Sequence, residues 1–175
     1  VTRSGSGPEG TERIAADAAD AERLASIATG TDVIYNCVNP TYHRWVTDWP
    51  PVAAALLGAA ESSGAVLVTT ANLYGYGPVD RPMTEDMPLA GTYAKAQVRN
   101  RMWLDTLAAH EAGRVRATEA RGADYIGPGA ESHLGDRVMP KLLAGKKVTV
   151  MPSLDSSHTW TYTEDQGFNT WNMVS

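Results

Sequence analysis

The chain has a single cysteine, Cys37, among its 175 residues. No intrachain disulfide can form, and with no signal peptide evident in the sequence a reducing cytoplasm is the expected location. Positive charge is in the minority: 15 Lys and Arg against 20 Asp and Glu give a formal net charge of -5. A surface of that sign repels phosphate backbones, which argues against a nucleic-acid partner. No apolar run approaches the roughly 20 residues of a membrane span, so no membrane partner is expected. The longest such run, Val52 to Ala60, is rich in alanine and reads as a buried helix. His43, His110, His133 and His158 lack metal-ligand spacing and no second cysteine joins them, so no metal site is expected. What remains is a chain of ordinary globular composition, 43% hydrophobic and 20% charged, long enough for one domain or most of one.

Hydrophobic patterning supplies the organisation. Asp32 to Val38, Ala65 to Thr70 and Val115 to Arg121 read as strands, the first so continuously apolar that it should be covered on both faces. Short strands are also expected at Val1 to Arg3, Arg13 to Ala16, Lys147 to Met151 and His158 to Tyr162. Helices are expected over Asp20 to Thr29, with Asp20 as N-cap and Gly30 as stop, and over a segment with Pro50 and Pro51 in its first turn and Gly64 at its end. Two more should span Thr92 to Ala112, stopped at Gly113, and Leu134 to Ala144. This alternation predicts an α/β fold, a parallel sheet with helices on both faces. Ligands of such sheets bind at the carboxyl ends of the strands. Three loops leave those ends, Asn36 to Pro40, Thr69 to Gly77 and Arg121 to Gly129, and they should converge on one site. The long loop from Ala71 to Ala90 carries Gly75, Gly77, Pro78, Pro82 and Pro88, and such length is unusual without a function.

Gly5, Gly7 and Gly10 spell G-x-G-x-x-G, the dinucleotide fingerprint. That motif needs a full strand before it and a helix opening on its last glycine. Here three residues precede Ser4, Pro8 and Glu9 occupy the turn, and Glu9 would repel a pyrophosphate. A solvated loop is the better reading.

Other motifs carry a family resemblance. TTANLYGYGP, Thr69 to Pro78, is similar to the SSxxVYG segment of extended short-chain dehydrogenases/reductases, the NAD(P)-dependent epimerase/dehydratase family. RGADYIGPG, Arg121 to Gly129, resembles that family's RPxNxYGPG turn, with Gly122 and Asp124 departing from the usual proline and asparagine. His133 to Met151, followed by HTWTYTED from His158, resembles the family's next helix-strand segment and its RxxxYVxDVA element. The resemblance covers most of the chain from Asp32 to Asp165. It implies an incomplete Rossmann-type doubly wound parallel sheet, with residues 1–130 a partial NAD(P)-binding domain and 131–175 the start of a truncated substrate-binding region. The family's first strand-helix-strand unit, roughly 30 residues with the phosphate-binding glycines, has no counterpart here. The chain therefore reads as a fragment that leaves an edge exposed beside Asp32 to Val38, binds the cofactor weakly and tends to associate.

The resemblance also implies roles for residues. Thr70 stands where the family has its catalytic Ser or Thr, whose hydroxyl bonds the substrate oxygen; a threonine that simply ends a strand is the alternative. The family's proton-transfer pair is Tyr-x-x-x-Lys, four apart on one helix face. This chain has Tyr93 with Lys95 two positions on and Gln97 at the fourth. A two-residue step turns a helix by roughly 200°, which would separate Tyr93 from Lys95 and leave Tyr93 as a plain surface residue. Cys37, Val38 and Asn39 stand in the loop that passes under the cofactor ribose. Cys37 lacks a basic partner, so a small buried residue is a better reading than a nucleophile. Arg3 stands where the family reads the adenosine ribose, and an arginine suits a 2′-phosphate, favouring NADP over NAD. Asp17 and Ala18 fall at the adenine-contacting pair, and Asp124 and Tyr125 in the turn beside the nicotinamide end. The implied activity is an NAD(P)-dependent oxidoreductase, epimerase or dehydratase acting on a hydroxyl or ketone of a small molecule such as a nucleotide sugar. The alternative is a non-catalytic NAD(P)-binding or interaction protein with a degenerate Tyr-Lys pair. A homodimer through the helices over 52–63 and 92–112 is expected by the same analogy, and Trp45, Trp49 and Trp103 read as core or interface aromatics.

Overall fold

The computed structural model describes residues 1–127, 138–149, 158–162 and 172–174. Helix α1 spans Ala21–Ala28, strand β1 Val33–Asn36, α2 Trp45–Ser63, β2 Val66–Asn72, α3 Ala94–Glu111 and β3 Arg116–Gly122. Short elements follow: β4 Asp124–Ile126, α4 Met139–Leu143, β5 Trp160–Tyr162 and β6 Asn172–Val174. The chain divides into two compact units, Val1–Ala120 with Met173–Ser175, and Arg121–Asn172.

In the first unit the sheet order is β1-β2-β3-β6. β1 and β2 run parallel, Val33 opposite Val66 through Asn36 opposite Thr69. A parallel pair needs a crossover, and α2 provides it. This is the expected class: a partial α/β fold built on a parallel, Rossmann-like sheet with helices. One apolar cluster joins Leu24 and Ala28 of α1, seven residues of α2, Leu67 of β2, Ala109 of α3 and Val115. Ile34 and its register partner Leu67 both face it.

β1 departs from expectation. It is an edge strand, and Val33 and Tyr35, which share one face, are 38% and 69% exposed. The continuous apolar run thus reflects one packed face and one open one, and the strand is not covered on both sides. The two expected strands near the N-terminus reduce to a single parallel bridge between Thr2 and Ala15.

The helix boundaries are instructive. Asp20 caps α1 as its type predicts, its carboxylate accepting from the Arg23 N–H at 3.0 Å. Gly64 and Gly113 adopt left-handed φ values of 74° and 70° at the ends of α2 and α3. α2, however, starts at Trp45, so Pro50 and Pro51 lie in its interior rather than in its first turn. An interior proline costs about 3 kcal/mol or more. The early start buries Trp45 and Trp49, stacked edge-on at 6.3 Å. Each tryptophan removes about 150–250 Å² from water, roughly 4–6 kcal/mol at 25 cal/mol/Å², which offsets the prolines. The Trp45 indole N–H donates to the Pro40 carbonyl at 2.9 Å, and Arg44 pairs with Asp48 one turn on.

In the second unit β4 and β5 pair in parallel, Asp124 opposite Trp160. The strand at β5 lies within the expected His158 to Tyr162, but β4 replaces part of the expected turn. Its partner explains why: the Ala123 N–H also donates to the Thr161 hydroxyl at 3.1 Å. α4 retains five residues of the expected helix, whose residues 134–137 lie outside the described ones. Lys147 to Thr149 form no strand, and Val150 and Met151 lie outside the described residues.

Candidate functional site

The carboxyl ends of β1 and β2 are adjacent, because Asn36 and Thr69 are register partners. Each chain leaves its strand by the same device. The Asn36 side-chain oxygen accepts from the Val38 N–H at 3.2 Å, and that of Asn72 from the Tyr74 N–H at 3.1 Å. An Asx turn bends the chain without a backbone partner. Along β2 the alternation buries Thr69 and exposes Thr70. Cys37 is exposed beside it, its sulfur 3.7 Å from the Thr70 hydroxyl oxygen. The expectation of a buried Cys37 is therefore corrected: it follows the last residue of an edge strand. Val38 is half-buried and Asn39 exposed.

The segment after Thr70 is clamped to the start of α3. The Gly91 N–H donates to the Gly75 carbonyl at 2.9 Å, and the Asn100 amide donates to the Gly75 and Leu89 carbonyls at 3.2 and 3.3 Å. A Cβ on Gly91 would lie 2.6 Å from the Ala96 Cβ and 2.7 Å from the Tyr74 carbonyl oxygen, so no larger residue fits. These contacts close the long loop at its base.

Above the clamp lies an aromatic cluster. Tyr74 sits 5.8 Å from Trp45, 6.4 Å from Tyr42 and 6.0 Å from Tyr93, ring centre to ring centre. The Lys95 ammonium nitrogen stands 3.3 Å from the centre of the Tyr42 ring, a cation–π contact. α3 begins at Ala94, and Tyr93 precedes it with extended backbone angles, φ -79° and ψ 152°. The helical step that was expected to part Tyr93 from Lys95 therefore does not apply, and both meet the same cluster. Gln97 is exposed, and its N–H donates to the Tyr93 carbonyl at 3.0 Å. Burial first, and the neighbouring Tyr42 second, push the Tyr93 phenol above its ordinary value.

Arg99 is buried. Its guanidinium donates to the Thr70 carbonyl at 3.1 Å and lies 4.7 Å from the Trp49 ring centre. Neither Arg99 nor Tyr42 stood out in the sequence. For Arg99 a signal existed, since it is four residues from Lys95; for Tyr42 there was none.

The remaining expected residues fall elsewhere. Arg3 pairs with Asp17 at 3.4 Å, both side chains largely exposed, and Ala18 packs against the core. Asp17 also accepts from the Ala19 N–H at 2.9 Å. Ser4 to Gly10 is a loop, and the next helix opens only at Ala21, so the glycine fingerprint has no helix behind it. In the second unit the Asp124 carboxylate meets His158 Nε2 at 2.9 Å. Gly122, at the family's proline position, is where a Cβ would strike the Tyr125 hydroxyl at 2.5 Å. Pro128 and Gly129 of the expected turn lie outside the described residues. Among the described residues no helix is long and apolar enough to cross a membrane.

The family model for the NAD dependent epimerase/dehydratase family matches residues 2–173. The chain belongs to that family. Among solved structures, dTDP-glucose 4,6-dehydratase from Streptomyces venezuelae, solved with NAD bound, aligns at a TM-score of 0.72 and 21% identity over 90% of this chain and 53% of its own. UDP-glucuronic acid 4-epimerase from Bacillus cereus, solved with UDP-glucuronic acid and NAD, aligns at 0.73 and 17% over 87% and 52%. UDP-N-acetylglucosamine 4-epimerase from Methanobrevibacter ruminantium aligns at 0.69 and 16% over 85% and 53%. At these identities the likeness is one of fold, and this epimerase/dehydratase-family chain spans about half the length of the structures it matches. No curated protein matches it.

Proposed function

We propose that the chain is the nicotinamide-side portion of an NAD(P)-dependent oxidoreductase, epimerase or dehydratase acting on a hydroxyl or ketone carbon, with a nucleotide sugar as the substrate class. The observation that carries this reading is Thr70, an exposed hydroxyl at the carboxyl end of a parallel strand, with protonable side chains clamped next to its segment at the start of α3. In such sheets that end is where ligands sit. Thr70 orients the substrate oxygen, and its O–H stabilises the charge that grows there. Tyr93 and Lys95, gathered on one aromatic cluster, supply the proton.

The strand ends fit the ribose and nicotinamide part of a dinucleotide. Cys37 is small and exposed, Val38 half-buried, and Thr70 open beside them. The residues do not fit a pyrophosphate, since no helix opens after Gly10. When bound, the cofactor supplies the hydride. The adenosine end falls to Arg3, Asp17 and Ala18, and the nicotinamide end also to Asn39. Arg3 suits a 2′-phosphate, but Asp17 already holds it, so NADP must displace a carboxylate whereas NAD need not. Parallel NADPH and NADH titrations of wild type and Arg3→Ala decide between the two cofactors. The chain alone binds either one weakly, and calorimetry giving micromolar NADPH affinity would overturn that.

The central test is Thr70→Val in the intact protein, assayed with dTDP-glucose and UDP-glucuronic acid in the presence of NAD. Turnover should fall by about 10²–10³-fold, as for loss of one oxyanion donor, with cofactor affinity unchanged. Full turnover by Thr70→Val would sink the reading. A second reading, a non-catalytic NAD(P)-binding protein, is favoured by the Tyr93 phenol being raised rather than lowered. Cofactor binding without turnover of any nucleotide sugar by the wild type would select it.

A further inference from the structure

We propose that the working pair of this site is Lys95 and Arg99, with Lys95 giving and recovering the proton and Arg99 positioning Thr70. This rests on the reading above and refines which residue carries the proton.

The geometry of α3 leads here. Tyr93 lies before the first helical residue, and the residue four places after it, Gln97, is exposed. The position four after Tyr93 thus carries an uncharged amide in place of a lysine. Arg99 identifies the helix face turned to the site, because its guanidinium reaches the Thr70 carbonyl at 3.1 Å. Lys95 is four residues earlier, about 6 Å along the axis and on the same face. It thus stands one turn closer to the N-terminal end of α3.

The two cations are held differently, and the difference assigns their roles. Arg99 is buried, with Trp49 under its guanidinium and Trp45 at 5.9 Å. A fixed planar donor on the Thr70 carbonyl sets the direction of the last residues of β2 and hence of the Thr70 hydroxyl. Lys95 is half-buried, and its ammonium rests on the Tyr42 ring. Among the described residues no carboxylate pairs with it. A ring face holds an ammonium without accepting its N–H bonds in the way a carboxylate does, which leaves donors for an oxygen acceptor. The influences on the Tyr93 phenol are burial and Tyr42, and both raise it.

A bound nicotinamide would supply the hydride to the carbonyl carbon in the reducing direction and take it back in the oxidising one. Lys95 would give one proton to the substrate oxygen in the first case, regaining its own from water, and would receive that proton in the second.

The test uses the intact protein with NADH as probe. Competitive acetylation by acetic anhydride, read at Lys95 by peptide mass spectrometry, should slow at least about five-fold at saturating NADH. Tyr42→Leu should speed acetylation at Lys95 at least about three-fold without NADH, and Tyr93→Phe should leave it unchanged. With dTDP-glucose and UDP-glucuronic acid, Lys95→Met should lower kcat by about 10²-fold or more, the scale of lost acid–base catalysis. Tyr93→Phe should lower kcat by clearly less than Lys95→Met does. Lys95→Arg keeps the charge and should keep NADH affinity while losing turnover. Arg99→Lys should lower kcat with KM unmoved, and calorimetry on Arg99→Lys should show NADH affinity retained. The inference is overturned if NADH binds and Lys95 is not protected, or if Tyr93→Phe loses as much turnover as Lys95→Met; the proposed function survives either result. Absence of NADH binding by the wild type removes both.

Discussion

Helices α2 and α3 end alike and begin differently. Each ends on a glycine with left-handed φ, Gly64 and Gly113, whose N–H groups donate back to Ala60 and His110. Neither begins on a side-chain cap: Arg44 and Tyr93 stand at the N-cap positions without a capping hydrogen bond. At the C-terminal ends local backbone chemistry sets the stop. At the N-terminal ends contacts from elsewhere in the chain do, the Trp45 indole on Pro40 for α2 and the Gly91–Gly75 clamp for α3. The side chains of the candidate site, Tyr42, Trp45, Tyr93 and Lys95, sit at the ends that are set from a distance.

That contrast can be broken experimentally. The largest effect should come from Trp49→Ala, which empties a site 1% exposed beneath Arg99. Denaturant unfolding should show a loss of about 3–5 kcal/mol. Trp49→Phe is the control. The Trp49 indole N–H has no hydrogen-bond partner among the described residues, so losing it should cost little beyond the change in ring size, about 1 kcal/mol. Gly91→Ala should come next, at about 1–3 kcal/mol, because the added carbon meets backbone at the clamp. It should also displace the start of α3, detectable as altered amide exchange at Tyr93 to Lys95. The ends set locally should respond less and independently. Gly113→Ala, with open space around it, should cost about 1–2 kcal/mol from φ alone. Asp20→Ala should cost about 1 kcal/mol. If Gly113→Ala costs more than Gly91→Ala, the division between distant and local control fails.

The smallest effect is one of pH. The folded-state value of Tyr93 is raised, so the folded chain holds that proton more tightly than the unfolded one. The associated stability is present below about pH 10, the ordinary tyrosine value, and is lost as pH rises through the folded value. Tyr93→Phe should flatten the alkaline side of the stability curve. A spectrophotometric tyrosine titration should lose one step above the ordinary tyrosine range in that variant.

The same division explains what could be read from sequence. The strand at β2, the stop at Gly113, the cap at Asp20 and the exclusion of the Gly5–Gly10 fingerprint all rest on residues close in sequence, and the structure agrees with them. Thr70 stood out because an alternating strand ends in a recognisable segment, and the structure leaves it exposed at that strand's end. The start of α2 was missed because two prolines argue locally for a first turn, and only the burial of Trp45 and Trp49 overrules them. β4 was missed because a three-residue strand is defined by its partner 36 residues away. Arg99 and Tyr42 were missed because their roles, on the Thr70 carbonyl and under Lys95, come from contacts 29 and 53 positions apart.

The aromatic cluster gives the protein a built-in optical reporter. Trp45 lies against Tyr74 while the Lys95 ammonium sits on the adjoining Tyr42 ring. A ligand that draws Lys95 off that ring would change the field around the indole packed against it, and a reduced nicotinamide bound at the proposed site would accept excitation energy from that indole. Emission should therefore drop on loading, and Trp45→Phe should silence the response while the chain's other four tryptophans keep fluorescing.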